Sequence, residues 1–375
     1  METTDTRPAT LAKAPSQSGH KKFYIPSLDG LRAVALLIVL TAHIGLGNYV
    51  PGGFGVTVFF FLSGYLITTL LQREYKQAGR IDLKKFYMRR IVRIWPAFYV
   101  VLFWGLGISY WVMPESATNA QTLQAAAAQF LHLANYYLTL FGNEGIALGS
   151  NVYWSLAVEE HFYLFFPLLY VLLLRSGVNN RKQCLLFWGI CLLVLLWRCF
   201  LVFSMGVESD RLYYGTDTRI DSILFGCALA VYGNPMTDYQ QQISARALKY
   251  FLLPLGIALI LSSFVYRPVW FRDTLRYSIQ GIALYPIFIA AIRFPSWGAF
   301  SVLNLNWVRF MGLLSYSLYL VHLTVIEALR LIFPELGFLM QALIALPVSL
   351  ACAYALYRFI ERPAGKFKKR FAVSR

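Results

Sequence analysis

Segments of about twenty apolar residues recur from one end of this 375-residue chain to the other. A helix needs ~20 such residues to cross the ~30 Å hydrocarbon core of a bilayer, and lipid leaves no water to satisfy an open backbone. The pattern predicts an all-α fold, a polytopic integral membrane helical bundle. Ten spans are read, at about 28–48, 54–72, 94–112, 153–174, 184–204, 218–233, 248–266, 277–293, 308–331 and 338–360. Only 14% of residues are charged, against about 25% in soluble domains.

The net charge of +16 is not a nucleic-acid signal, because the cations sit in short connections between apolar spans, as the positive-inside rule requires. Lys21 and Lys22 precede the first span, and Arg73, Lys76, Arg80, Lys84, Lys85, Arg89, Arg90 and Arg93 follow the second. Arg181 and Lys182 follow the fourth, and Lys366, Lys368, Lys369 and Arg370 close the chain. The stretch 113–152 has no Lys or Arg, so 121–141 is expected to be a non-spanning helix on the outer side, with both termini cytoplasmic. Arg267, Arg272 and Arg276 are the exception, on an outer loop. The division is a disordered cytoplasmic tail (1–23), a transmembrane domain (24–363) and a basic cytoplasmic tail (364–375). The tail has no apolar core of a signal peptide, and the five cysteines have no CxxC spacing, so neither a disulfide framework nor a metal site is expected.

Ionisable groups inside spans are costly and mark function. Arg32 and His43 lie eleven positions apart on the first span, ~16 Å along a helix. Glu159 and Glu160 fall in the first turns of a span entered from outside, Arg219 and Asp221 start another, and His322 lies within a further one. Four helices thus bring polar groups to similar depths, as bundles do when they build an interior site. Adjacent glutamates point about 100° apart on a helix, so one, Glu160, is expected to face that site. Arg90 and Arg93 share a helix face, and with Arg32 they could clamp a polyphosphate through bidentate guanidinium contacts. Arg89 reads equally well as a topogenic anchor. His132 and His161 read as structural, and the glycines of the second span serve packing as readily as function.

At these residues the sequence resembles the membrane acyltransferase family 3. The likeness runs from Tyr24 to Pro363 and rests on seven motifs in order: SLDGLRAVA with Arg32 and His43, FFFLSGYLI (59–67), Arg90 to Arg93, YWSLAVEEHFY (153–163), RIDSILFG (219–226), SYSLYLVH ending at His322, and Glu361-Arg362-Pro363. His161 stands where Gln is the commoner residue. The likeness is to the stand-alone members, so no hydrolase-like domain is expected after the last span. The resemblance implies a bacterial inner-membrane enzyme that moves an acyl group, most often acetyl, from cytoplasmic acyl-CoA to a hydroxyl of a carbohydrate, free or lipid-linked. It implies acyl-CoA bound by Arg32, Arg90, Arg93, Ser63 and Tyr65, and catalysis by His43, Glu160, Asp221 and His322, without a metal. His43 would be the general base, with Glu160 or Asp221 orienting its ring. A covalent acyl intermediate relayed through His322 is the alternative to direct transfer, which is preferred because no Ser or Cys adjoins a histidine in sequence. The competing classes are a transporter or flippase for a lipid-linked sugar or small anion, and an acyl-lipid sensor. Only an enzyme would consume thioester.

Overall fold

A computed structural model describes residues 25–113, 120–238 and 243–371, so the tail 1–23 lies outside the described residues. Those residues form helices, turns and loops without a β-strand. The long helices are α1 (Pro26–Thr41), α2 (Gly52–Ala78) and α3 (Leu83–Val112), then the short pair α4 (Ala120–Phe130) and α5 (Ala134–Phe141), then α6 (Trp154–Arg175) and α7 (Asn180–Phe203). After the short α8 (Ser209–Tyr214) come α9 (Thr216–Val231), α10 (Leu253–Val265), α11 (Val269–Asp273) and α12 (Leu275–Arg293). The chain closes with α13 (Asn306–Leu313), α14 (Ser315–Ile332), α15 (Phe338–Leu356) and α16 (Arg362–Lys368).

Among the described residues nine helices are long and apolar enough to cross a membrane. The tenth predicted span is α9, of 16 residues, which at 1.5 Å each makes ~24 Å. It tolerates that length because it is sunk between α2 and α7, with nearly every residue from Thr218 to Val231 buried. Parity requires it. Arg32 near the start of α1, Arg90 and Arg93 near the start of α3, and Gly365 beyond α15 line one cavity. The first span therefore begins, and the last ends, at the same face, which takes an even number of crossings. The basic segment after 363 stays with the bundle through Phe371, whose carbonyl accepts from Arg89 Nη1 at 3.0 Å.

The difficult segment 121–141 is two helices. They meet at His132, a non-glycine residue in the left-handed region at φ 56°. The open end is closed by Gln121 Nε2 donating to Glu144 at 2.9 Å. The tip packs its His132 ring on Phe98 (4.6 Å) and Trp95 (5.9 Å), partway along α3. This is a hairpin that enters and leaves on one side. Irregular backbone is tolerated at such depth where protein covers it, and His132 is buried.

The core of the bundle is the crossing of α2 and α9. A Cβ added at Gly64 would collide with the Ile223 carbonyl, and one at Gly226 with the Phe61 carbonyl. Each glycine admits the other helix's backbone, as small residues do where membrane helices pack by van der Waals contact. Gly226→Val is expected to cost at least the ~1–3 kcal/mol typical of overpacking and to lower the unfolding midpoint of the protein in nanodiscs. Gly107→Val, where nothing lies within 4 Å of an added Cβ, should leave the midpoint in place.

Candidate active site

Two groups of polar residues dominate the interior. The first lines a cavity of about 340 Å³ entered from the face where both ends of the bundle meet. At its mouth stand Arg32, Arg90 and Arg93, deeper in are Ser63, Glu159, Glu160 and Tyr163, and at its blind end are Phe59, Ser155 and Tyr319. Arg32 is held by Asp29 at 3.0 Å. Arg90 and Arg93 have no ion-pair partner among the described residues; Arg90 lies over the rings of Phe86 (5.6 Å) and Tyr163 (5.4 Å). Their guanidinium donors remain available to an anion. Arg89 differs, being tied to Glu74 at 2.7 Å, which makes it a fastener of the α2–α3 connection.

Both adjacent glutamates line this cavity, where one was expected. Glu159 accepts from Ser63 Oγ at 2.5 Å, and Tyr163 donates to the same Ser63 oxygen at 3.2 Å. Glu160 meets the Trp95 indole N–H at 3.5 Å, and its Oε1 has no partner among the described residues. Glu361, in the π turn Tyr357–Glu361, joins the lining and accepts from Ser317. Sequence reasoning passed over it as part of a terminal motif. The available signal was an acid at a membrane face otherwise marked by cations.

The second group is a histidine pair. A π turn, Ala42–Leu46, continues α1 and includes Gly45 at φ 116°; such insertions are frequent at functional sites. It puts His43 ~25 Å along the axis from Pro26. There His43 Nδ1 lies 2.9 Å from His322 Nε2. On the other side of the His322 ring, Nδ1 faces the carbonyls of Tyr319 (2.8 Å) and Leu318 (3.1 Å). Carbonyls only accept, so His322 Nδ1 carries the proton and, with that ring neutral, Nε2 accepts from His43 Nδ1–H. The lone pair of His43 is then left on Nε2, free for a proton. Tyr319 connects the two groups: it ends the cavity, and its ring centroid is 5.7 Å from that of His322. Its hydroxyl is fixed by Val152 O at 3.0 Å and Ser155 Oγ at 2.7 Å.

Three expectations need correction. Neither Glu160 nor Asp221 orients His43; His322 does. Asp221 is fully buried against Arg198 at 2.7 Å, both side chains having no solvent exposure. Arg198 also donates to Ser278 Oγ, Thr218 O and Thr274 O, so the pair binds α7, α9 and α12 together. Tyr65 lies off the cavity and donates to Asn234 at 2.7 Å, joining α2 to the loop after α9. A residue two positions after Ser63 leaves the face that Ser63 occupies. His161 bonds Thr216 Oγ1 at 2.8 Å and stacks on Tyr136 at 5.7 Å, beside the turn of the hairpin.

A family profile described as "Acyltransferase domain" matches residues 25–358. The chain belongs to this acyltransferase family. Among its relatives, "Putative O-acetyltransferase" of Staphylococcus aureus strain COL is 33% identical over 359 residues, covering 92% of this chain and 58% of that protein. "Peptidoglycan O-acetyltransferase OatA" of Listeria monocytogenes is 31% identical over 363 residues, 92% of this chain and 57% of that one. "Putative peptidoglycan O-acetyltransferase YrhL" of Bacillus subtilis strain 168 is 33% identical over 358 residues, 91% and 55%. This chain thus spans little more than half the length of these acyltransferase relatives. No solved structure matches it.

The structural role of Asp221 is testable within this family fold. Asp221→Ala strands a buried cation and is expected to cost ~3–5 kcal/mol, while a paired apolar replacement, Arg198→Met with Asp221→Leu, recovers most of it. Unfolding midpoints in nanodiscs report both. An Asp221→Ala protein of unchanged midpoint that lost acyl transfer would return Asp221 to the chemistry.

Proposed function

We propose that this chain is a multi-pass O-acyltransferase of the bacterial cytoplasmic membrane. It takes an acyl group, acetyl by the names of its relatives, from cytoplasmic acyl-CoA and delivers it to a hydroxyl of a carbohydrate on the outer side. The relatives' names favour a peptidoglycan glycan as that acceptor. The observation that carries the reading is the arginine-mouthed cavity whose blind end, Tyr319, touches His322 and through it His43.

CoA carries a pyrophosphate and a 3′-phosphate, the chemistry that unpaired guanidinium groups bind. Arg90 and Arg93 take the phosphates at the mouth, with Arg32 beside them. The thin pantetheine arm runs inward, and Glu160 Oε1 accepts from one of its amide N–H groups. The thioester reaches the end of the cavity. From the other side the acceptor hydroxyl gives its proton to His43 Nε2 as its oxygen attacks the thioester carbonyl. A C–O bond forms, the C–S bond breaks, and the proton passes from the His43 imidazolium to the departing CoA sulfur. His322 keeps the His43 ring in the tautomer that leaves its Nε2 lone pair open to the acceptor hydroxyl. Its anchors are backbone carbonyls of its own helix, so it does for His43 what a carboxylate does in hydrolase triads.

The test uses nanodisc-embedded protein supplied with acetyl-CoA and a surface-glycan extract, with free thiol and acetylated glycan followed together. Wild type is expected to produce both. His43→Ala should lose ~10²–10⁴-fold of the rate, the usual worth of a general base. His322→Phe should lower kcat and leave the KM for acetyl-CoA unchanged. Arg90→Ala and Arg93→Ala should each raise that KM about tenfold, in keeping with a charge-assisted hydrogen bond of ~1.5–3 kcal/mol. Thiol release from no acyl-CoA, or normal KM values in both arginine variants, would overturn the reading.

A further inference from the structure

The second cavity, of about 360 Å³, lies on the opposite side of the bundle. Its walls carry Arg267, Arg272 and Arg276 together with Tyr213, Tyr277 and Gln280, and no Asp or Glu is among its lining residues. None of the three arginines has an ion-pair partner among the described residues. The acid between them in sequence, Asp273, is buried and accepts from Ser209 Oγ at 2.6 Å. Arg267 is steadied by the Asn48 carbonyl at 3.0 Å and Arg276 by the Tyr277 hydroxyl at 3.0 Å.

A fourth cation stands behind this wall. Arg219 is fully buried, lacks a carboxylate partner among the described residues, and has its Nε unsatisfied. Its guanidinium lies 3.9 Å from the centroid of the Tyr277 ring, the ring that Arg276 approaches at 5.0 Å. Two cations thus share one aromatic ring, while the two nearest acids in sequence are spent elsewhere, Asp217 on Arg211 and Asp221 on Arg198. Uncompensated charge at such depth is unfavourable, and an anion in the cavity would offset it. The cavity wall follows the turn bearing His43 in the chain: the π turn Ala42–Leu46 runs directly into Gly47 and Asn48 of that wall.

We infer that this cavity is an acceptor subsite for a carboxylate or phosphate group carried by the glycan, which anchors the strand so that a neighbouring hydroxyl meets His43. The inference rests on the acceptor being a carbohydrate, and it adds that the carbohydrate is acidic. Arg272, exposed and the freest of the three, makes first contact, and Arg276 takes the anion against Tyr277.

The experiment measures binding with no acyl donor present, so its result is separate from whether transfer occurs. Protein in phosphatidylcholine nanodiscs is titrated with chitotetraose and with a tetrasaccharide of alternating N-acetylglucosamine and N-acetylmuramic acid, which bears lactyl carboxylates. Wild type should bind the acidic sugar about tenfold more tightly or better. Arg272→Gln with Arg276→Gln should abolish the preference, and Arg272→Lys should keep most of it. Because the Arg272 side chain is exposed, the single Arg272→Gln tests the idea even if the double variant fails to fold; it should reduce the preference about threefold. Repeating the titration with phosphatidylglycerol in the disc separates the sources of anion, and the sugar preference should persist. Equal binding of the two sugars by wild type, an unchanged preference in the arginine variants, or its abolition by phosphatidylglycerol would each overturn the assignment.

Discussion

The backbone-to-backbone crossing of α2 and α9 fixes where the polar groups of this bundle can go. With no side chain between the helices at Gly64 and Gly226, α9 is drawn into the centre and its rotation is set. Asp221 then faces Arg198 and Arg219 faces the Tyr277 ring in the wall of the second cavity, while on α2 the residue just before the crossing, Ser63, faces the arginine cavity. A wider crossing would let lipid or side chains in and would release both cations from the partners that make their burial tolerable. Packing of the smallest residues thus governs the placement of the largest charged ones.

The polar groups of the bundle are sorted by depth. At the mouth shared by the first and last spans, the Arg90 and Arg93 guanidinium groups stand without carboxylate partners among the described residues. At the other end of α1 stands a pair of imidazoles whose tautomers are dictated by backbone carbonyls. A carboxylate orienter would carry its own charge into the membrane; a neutral histidine bonded to carbonyls avoids that cost. The same economy explains why Ser63 and Tyr163 surround Glu159, and why the Arg198 guanidinium is saturated with carbonyls as well as an acid.

Much of this was legible in the sequence. Apolar runs marked the spans, the absence of Lys and Arg from 113–152 marked a segment that does not cross, and the depths of His43 and His322 brought them forward as chemical groups. What escaped was direction. Helical periodicity tells which residues share a face, but not which face meets which neighbour, so Asp221 was matched to a histidine when its partner was Arg198. Arg198 itself was the missed clue: a cation in the middle of an apolar span demands an acid, and Asp221 was the acid to hand. The hairpin break at His132 was hidden for a different reason. Leu131 and Leu133 flank it with no glycine or proline, and the left-handed residue is held by tertiary contact with Trp95 and Phe98 rather than by local propensity.

Tyr319 carries a consequence for the bundle as a whole. A helical bundle hollowed from both ends must not leave an open path for ions across a membrane. The Tyr319 ring closes the blind end of the arginine cavity, pinned by Val152 and Ser155 and backed by His322. The two cavities share no lining residue, so the bundle is hollowed from both ends and stays closed in between.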